Sequence, residues 1–173
     1  MSACADIQHA TPQHFRRVIG SFATGVAVVT TEVDEALFGM TINSLTSVSL
    51  DPLLVLVCLV KGSRTGQAIQ QRGRFAINLL ADHQEDISRR FVSKDFQHRF
   101  QDGDTDPCEH GVPLLKERLA HVVCDVHSIQ TMGDHDVIYG QVVDCDAADG
   151  KPLVYWKGSY AQIGERQAVA GAR

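Results

Sequence analysis

The sequence has no long apolar run. Its longest, "LLVLVCLV" from Leu53 to Val60, is eight residues. That is too short to cross a bilayer as a helix, and it suits one fully buried strand. There is no excess of positive charge: 16 Lys and Arg stand against 21 Asp and Glu, a formal net charge of -5. Non-specific attraction to nucleic acid or to an anionic membrane is therefore not the main business of this chain. The five cysteines, Cys4, Cys58, Cys108, Cys124 and Cys145, are odd in number and widely spaced, with no C-x-x-C. This excludes a disulfide framework and a zinc ribbon, and it suits reduced thiols in the cytoplasm. The opening "MSACADIQHATPQHFRRV" lacks the apolar core of a signal peptide, which points the same way.

Several catalytic signatures are also missing. No G-x-S-x-G occurs, so no nucleophile elbow is expected, and Cys58 lies inside an apolar run where a thiol is inert. Walker A and G-x-G-x-x-G loops are absent. No H-x-H or H-x-x-x-H pair offers a metal chelate. His121 and His127 are six residues apart, too far to chelate one ion from a straight strand.

At 173 residues the chain has the length of one sizeable domain, taken here as 1–173 with a core over about 15–163. "TPQHFRRVIG" predicts a short helix, with Thr11 as N-cap, Pro12 at its first position and Gly20 past its end. "TGVAVVTT" (Thr24 to Thr31) and "ALFGMTINS" (Ala36 to Ser44) predict a hairpin turning over Glu32 to Glu35. "SVSLDPLLVLVCLV" predicts strand, broken or bulged at Pro52. "SRTGQAIQQRG" predicts a helix capped by Ser63 and stopped by Gly73, followed by the strand "RFAINLL" and the helix "HQEDISRRFV". Ser93 to Gly111 is polar and predicts a long irregular loop. Three strands then follow in "LAHVVCDVHSIQ", "HDVIYGQVVDCD" and "LVYWKGSYAQI". Six or seven strands in hairpin order with three or four short helices predict a mostly β, antiparallel barrel.

Three stretches carry chemical interest. "MTINSLTSVS" (Met40 to Ser49) is rich in hydroxyls, with Thr41 and Asn43 on one face. It reads equally as a solvated edge strand or as a wall of small donors and acceptors for a flat heterocycle. "KGSRTGQAI" places Lys61, Ser63, Arg64 and Thr65 at a helix start, either a plain capped helix or a phosphate site. "TMGDHDVIYG" sets His135 between two aspartates at a strand start, where a lone histidine is more often a surface residue than a ligand.

Together "FATGVAVVTT", "GMTINSLTSVSLDPLLVL", "KGSRTGQAI", "GRFAINLL", "GDHDVIYGQV" and "GKPLVYWKGSYAQI" resemble, in order and spacing, the flavin reductase-like family. These are the short reductase components of two-component flavin monooxygenases. The resemblance runs from Phe15 to Ile163. It implies an FMN-binding split β-barrel, a homodimer with the flavin near the subunit interface, and FMN or FAD reduced by NADH or NADPH. It places Thr41, Asn43, Ser44 and the backbone near Ser47 and Val48 along the flavin ring and ribityl chain. Cys58 to Thr65 would contain the phosphate site, with Ser63, Arg64 and Thr65 at the helix start, and Arg90 and Phe91 would touch the phosphate or an adenine. His135, Tyr155 and Tyr160 would meet the nicotinamide nucleotide. Hydride transfer needs donor carbon and acceptor nitrogen about 3–3.5 Å apart with the rings stacked, and no protein nucleophile. That accords with the missing triad and metal signatures. Two other readings stay open: a same-fold oxidoreductase with tightly bound flavin, and a non-catalytic flavin- or haem-binding barrel.

Overall fold

The computed structural model describes residues 10–106 and 108–164. Cys4 lies outside them. Helix α1 (Pro12–Ile19) starts where Thr11 Oγ1 accepts from His14 N at 3.1 Å. The predicted strand Thr24–Thr31 is divided into β1 (Thr24–Gly25) and β2 (Ala27–Val33). The break falls at Val26, whose N–H leaves the large sheet to bond Leu153 O at 3.1 Å. β2 turns into β3 (Ala36–Ile42) through Asp34 and Glu35, both left-handed at φ 50° and 65°, the two-residue turn that matches strand twist.

Pro52 makes a hairpin of the next stretch, between β4 (Thr46–Leu50) and β5 (Leu53–Val60), and a bulge falls at Val48. Helix α2 (Arg64–Arg72) ends at Gly73 with φ 73°, and β6 (Arg74–Leu79) and helix α3 (Glu85–Val92) follow. The loop from Ser93 is irregular apart from β7 (Thr105–Asp106), which pairs with β8 (Leu114–Leu115). The long strands β9 (Ala120–Met132) and β10 (His135–Ala147) form the tallest hairpin. The last predicted strand is itself a hairpin, β11 (Val154–Trp156) and β12 (Ser159–Ala161), turning over Lys157 and Gly158 at positive φ.

Seven strands form one antiparallel sheet in the order β3-β2-β6-β9-β10-β5-β4. The sheet curls until the chain leaving β3 reaches β5. No ladder closes that seam. Instead Ser44 Oγ accepts from Cys58 N and donates to Cys58 O, each at 3.0 Å. The bore is filled by Val29, Ile42, Val57, Ile69, Phe75, Ile77 and Ile138. A second cluster, Val26, Val28, Leu80, Phe91, Leu115 and Leu153, sits outside the barrel wall. Alternate residues of β2 thus enter two different cores, so its first five residues are all buried. Gly140 lets β10 pass the bore: a Cβ there would stand 2.7 Å from both Cys124 Cβ and Phe75 Cζ.

Candidate functional site: two cavities with a shared wall

A cavity of about 970 Å³ opens between α1, β1 and the end of β3. Its floor is apolar, with Ile19, Phe22, Val26, Ile42 and Leu79, and its edges carry Arg16, Thr24, Asn43, Ser44 and Thr46. A second cavity of about 560 Å³ lies between α3 and the β11–β12 hairpin, lined by Thr41, Glu85, Ser88, Arg89 and Tyr160 among others. Asn43 and Tyr155 border both. The Thr41–Thr46 part of the hydroxyl-rich stretch therefore borders these cavities, while the rest of it runs on as the exposed edge strand β4.

Local chemistry fixes these walls. Thr41 Oγ1 donates to Ser88 O at 2.7 Å, tying β3 to α3. Tyr160 and Ser88 share a 2.7 Å hydroxyl hydrogen bond, and Tyr155 meets Tyr160 edge-on at 5.4 Å. Thr24 lines the first cavity, and its Oγ1 is buried and without a partner among the described residues. A cavity with an apolar floor and polar edges suits a flat ligand with a polar rim. A flavin ring, flat and apolar with polar atoms along one edge, fits that lining.

The other expected residues fall elsewhere. Ser47 and Val48 lie on the edge strand β4, exposed and outside both linings, although their neighbour Thr46 lines the first cavity. Cys58 is half-buried, and burial pushes its thiol up and makes it unreactive; its backbone N–H and C=O are what Ser44 bonds. Ser63 Oγ accepts from Gly66 N at 3.2 Å as a helix cap, and Thr65 is buried in the first turn. Arg64 and Arg99 both stack on Phe96, at 5.0 and 4.2 Å. Burial, then the neighbouring Arg64, lowers the Arg99 pKa. Arg90 pairs with Asp104 at 2.8 Å, while its Nε is buried and unpartnered. Phe91 has no exposed surface: its ring packs under Gly39 and edge-on to Phe100 at 4.9 Å. Its side chain shapes the wall from behind rather than meeting a ligand directly.

His135 stands at the β9–β10 tip, paired across β5 with Val60. Its Nδ1 donates to Asp134 at 2.8 Å, which holds the Asp134 carboxyl below its ordinary range. Neither His135 nor Asp134 is among the residues that line the two cavities. Lys61 N donates to Asp134 O at 3.0 Å, bringing the start of α2 against the same tip. Asp136 serves Thr131 instead, at 2.7 Å. Among the described residues no group of three or more His, Cys, Asp or Glu is placed to hold a metal ion.

Residues 19–164 of the chain match a family model described as a flavin reductase like domain. The chain belongs to the flavin reductase-like family. It is 40% identical over 155 residues to the reductase subunit HsaB of a flavin-dependent monooxygenase from Mycobacterium tuberculosis, covering 88% of this chain and 82% of that protein. It is 38% identical over 156 residues to an NADH-dependent flavin reductase from Rhodococcus sp, covering 88% and 87%. The crystal structure of nitrilotriacetate monooxygenase component B from Mycobacterium thermoresistibile superposes with a TM-score of 0.87 at 37% identity, covering 93% of this chain and 92% of that one. The split β-barrel expected of flavin reductases is thus the fold of this chain.

Site residues invisible to local pattern complete the picture. Arg16 comes from a helix, Phe22 from the bend after it and Thr24 from a two-residue strand, while Glu85 and Arg89 come from an ordinary amphipathic helix. Long-range contacts gather them: β1 pairs with β11, Thr24 opposite Tyr155, and Ser88 holds α3 to Thr41 and Tyr160.

Proposed function

We propose that this chain oxidises a reduced nicotinamide dinucleotide, reduces FMN or FAD, and passes the reduced flavin to a partner monooxygenase. The observation that carries this reading is the pair of cavities meeting at Asn43 and Tyr155, space for a flavin and for a second ligand beside it. The bound flavin supplies the hydride acceptor and carries the electrons away. Everything else asked of the chain is binding and orientation. The apolar floor and Asn43 seat the ring, with Thr41 and the Ser44 region at its edge. Ser63, Arg64, Thr65, Lys61 and Arg90 supply donors and positive charge for the phosphate. His135 spends Nδ1 on Asp134, leaving Nε2 for the nicotinamide nucleotide, and Tyr155 and Tyr160 close the pocket.

NADH is the favoured reductant, since the Rhodococcus relative is named for it. The reductase subunits among the relatives support an oxygenase partner. One domain and a homodimer are proposed with it, the latter because Phe15, Val18 and Ile19 of α1 and Phe22 just beyond it leave apolar surface exposed. A cytoplasmic site fits the free thiols of Cys58, Cys108, Cys124 and Cys145. No described helix is long and apolar enough to cross a membrane. Neither cavity is lined by His, Cys or Met, which leaves only Tyr155 and Tyr160 as candidate haem ligands and makes a haem barrel the weaker reading.

The test mixes purified protein with NADH and free FMN or FAD and follows NADH absorbance. Many turnovers per protein, dependent on added flavin, are expected. Flavin that co-purifies and does not exchange supports the tightly bound alternative. No turnover with either flavin sinks the reductase reading.

A further inference from the structure

The second cavity contains one acid and one cation, and they neutralise each other. Arg89 Nη2 and Nε lie 2.6 and 2.8 Å from Glu85 Oε1, one helical turn away. The same guanidinium stacks over the Tyr160 ring at 4.9 Å. Arg89 therefore has its charge matched and its flat face covered. The first turn of α3 carries Glu85 and Asp86, so its positive helix end is also matched. A phosphate entering here meets a carboxylate and no free cation. Glu85 Oε2 has no partner among the described residues. A vicinal diol would give it two O–H donors, and Tyr155 and Tyr160 offer aromatic surface for a base beside it.

In Rossmann folds that bind dinucleotides, an acidic residue accepts from an unphosphorylated ribose and an arginine accommodates a 2′-phosphate, and the same chemistry applies in this barrel. Here both residue types are present, and the acid holds the arginine. We propose that this cavity is the subsite for an unphosphorylated ribose, with Glu85 accepting from its diol and excluding a 2′-phosphate. The inference rests on the flavin reductase reading and sharpens it to NADH over NADPH. The adenosine of FAD carries the same diol, so the experiment separates the two sources.

The test compares the wild-type chain with Glu85→Gln. Its readouts are kcat/KM for NADH and NADPH, calorimetric Kd for NAD+ and NADP+, and Kd for FMN and FAD from flavin fluorescence. The wild-type preference for NADH should be at least about thirtyfold. Glu85→Gln should shrink it by about tenfold or more, with NADPH gaining as Arg89 is released, and NADP+ binding should follow. Adding Arg89→Ala should remove that gain. An unchanged FMN Kd reports an intact flavin cavity. If Glu85→Gln weakens FAD but not FMN and leaves the nucleotide ratio fixed, the diol belongs to FAD and the subsite stands. Equal use of NADH and NADPH by the wild type, or a Glu85→Gln variant unchanged in every ratio, overturns the proposal. A wild-type chain that reduces no flavin defeats the broader reading, and Glu85 is then judged on NAD+ against NADP+ binding alone.

Discussion

Ser44 and Cys58 are joined by two hydrogen bonds through one hydroxyl, each 3.0 Å long, across the seam where the barrel closes. Ser44→Ala leaves both the N–H and the C=O of Cys58 unpaired on that side. The expected loss is about 1–3 kcal/mol of stability, read as a lower urea midpoint at unchanged slope. An unchanged midpoint would mean that the seam holds without the hydroxyl.

Replacing Ser63 and Thr65 together by Ala should weaken FMN binding by about tenfold or more, since charge-assisted hydrogen bonds contribute roughly 1.5–3 kcal/mol each. Because Ser63 also caps α2, the comparison is with riboflavin, which lacks the phosphate. FMN and riboflavin must separate. If both affinities stay at their wild-type values, the phosphate is held elsewhere.

His135→Ala should raise KM for the nicotinamide dinucleotide by roughly fivefold to thirtyfold, the effect of losing one buried or stacked hydrogen bond. Flavin Kd should stay near its wild-type value, and EDTA should leave the rate unchanged. Lost flavin binding with an intact KM would put His135 on the other side of the ring.

Sedimentation should give about twice the 18.9 kDa chain mass at micromolar concentration. Phe22, 71% exposed at the edge of the first cavity, is the residue to vary. Phe22→Asp should shift the mass toward the monomer and weaken flavin binding with it. A wild-type monomer at that concentration refutes the dimer.

Asp125 sits on Arg74, with contacts of 2.6 and 3.2 Å, and the hydrogen bond holds its carboxyl below the ordinary range. A depressed folded pKa stabilises above the unfolded value, about 3.9, and that contribution is lost as pH falls through the folded value. Asp125→Asn should therefore cost stability at neutral pH, and the gap to wild type should close below about pH 4. Both side chains are partly exposed, so the gap is about 1 kcal/mol at most. A gap that persists in acid would come from something other than the charge.

Much of the fold was legible because caps and turns are local. Thr11 with Pro12 and Ser63 with Gly73 announce their helices, and Asp34 and Glu35 lie inside the expected turn. What escaped was the switching of strands between sheets. Nothing near Val26 tells that its N–H serves Leu153, far along the chain. Nor does "VYWKGSY" declare that Lys157 takes a positive φ and folds one strand into two. The site divides in the same way. Thr41, Asn43 and Tyr155 stand on stretches whose residue types invite a ligand. Glu85 and Arg89 have the spacing of any surface helix pair, and only the hairpin opposite turns them into a lining.

The partition formed by Asn43 and Tyr155 has a thermodynamic corollary. A ligand that shifts this partition alters the room available on its far side. Such coupling is mutual: if one occupant tightens the hold on the other by some factor, the reverse holds by that same factor. With positive coupling, departure of the spent dinucleotide loosens the grip on reduced flavin. The hold on the flavin is then set in part by occupancy next door.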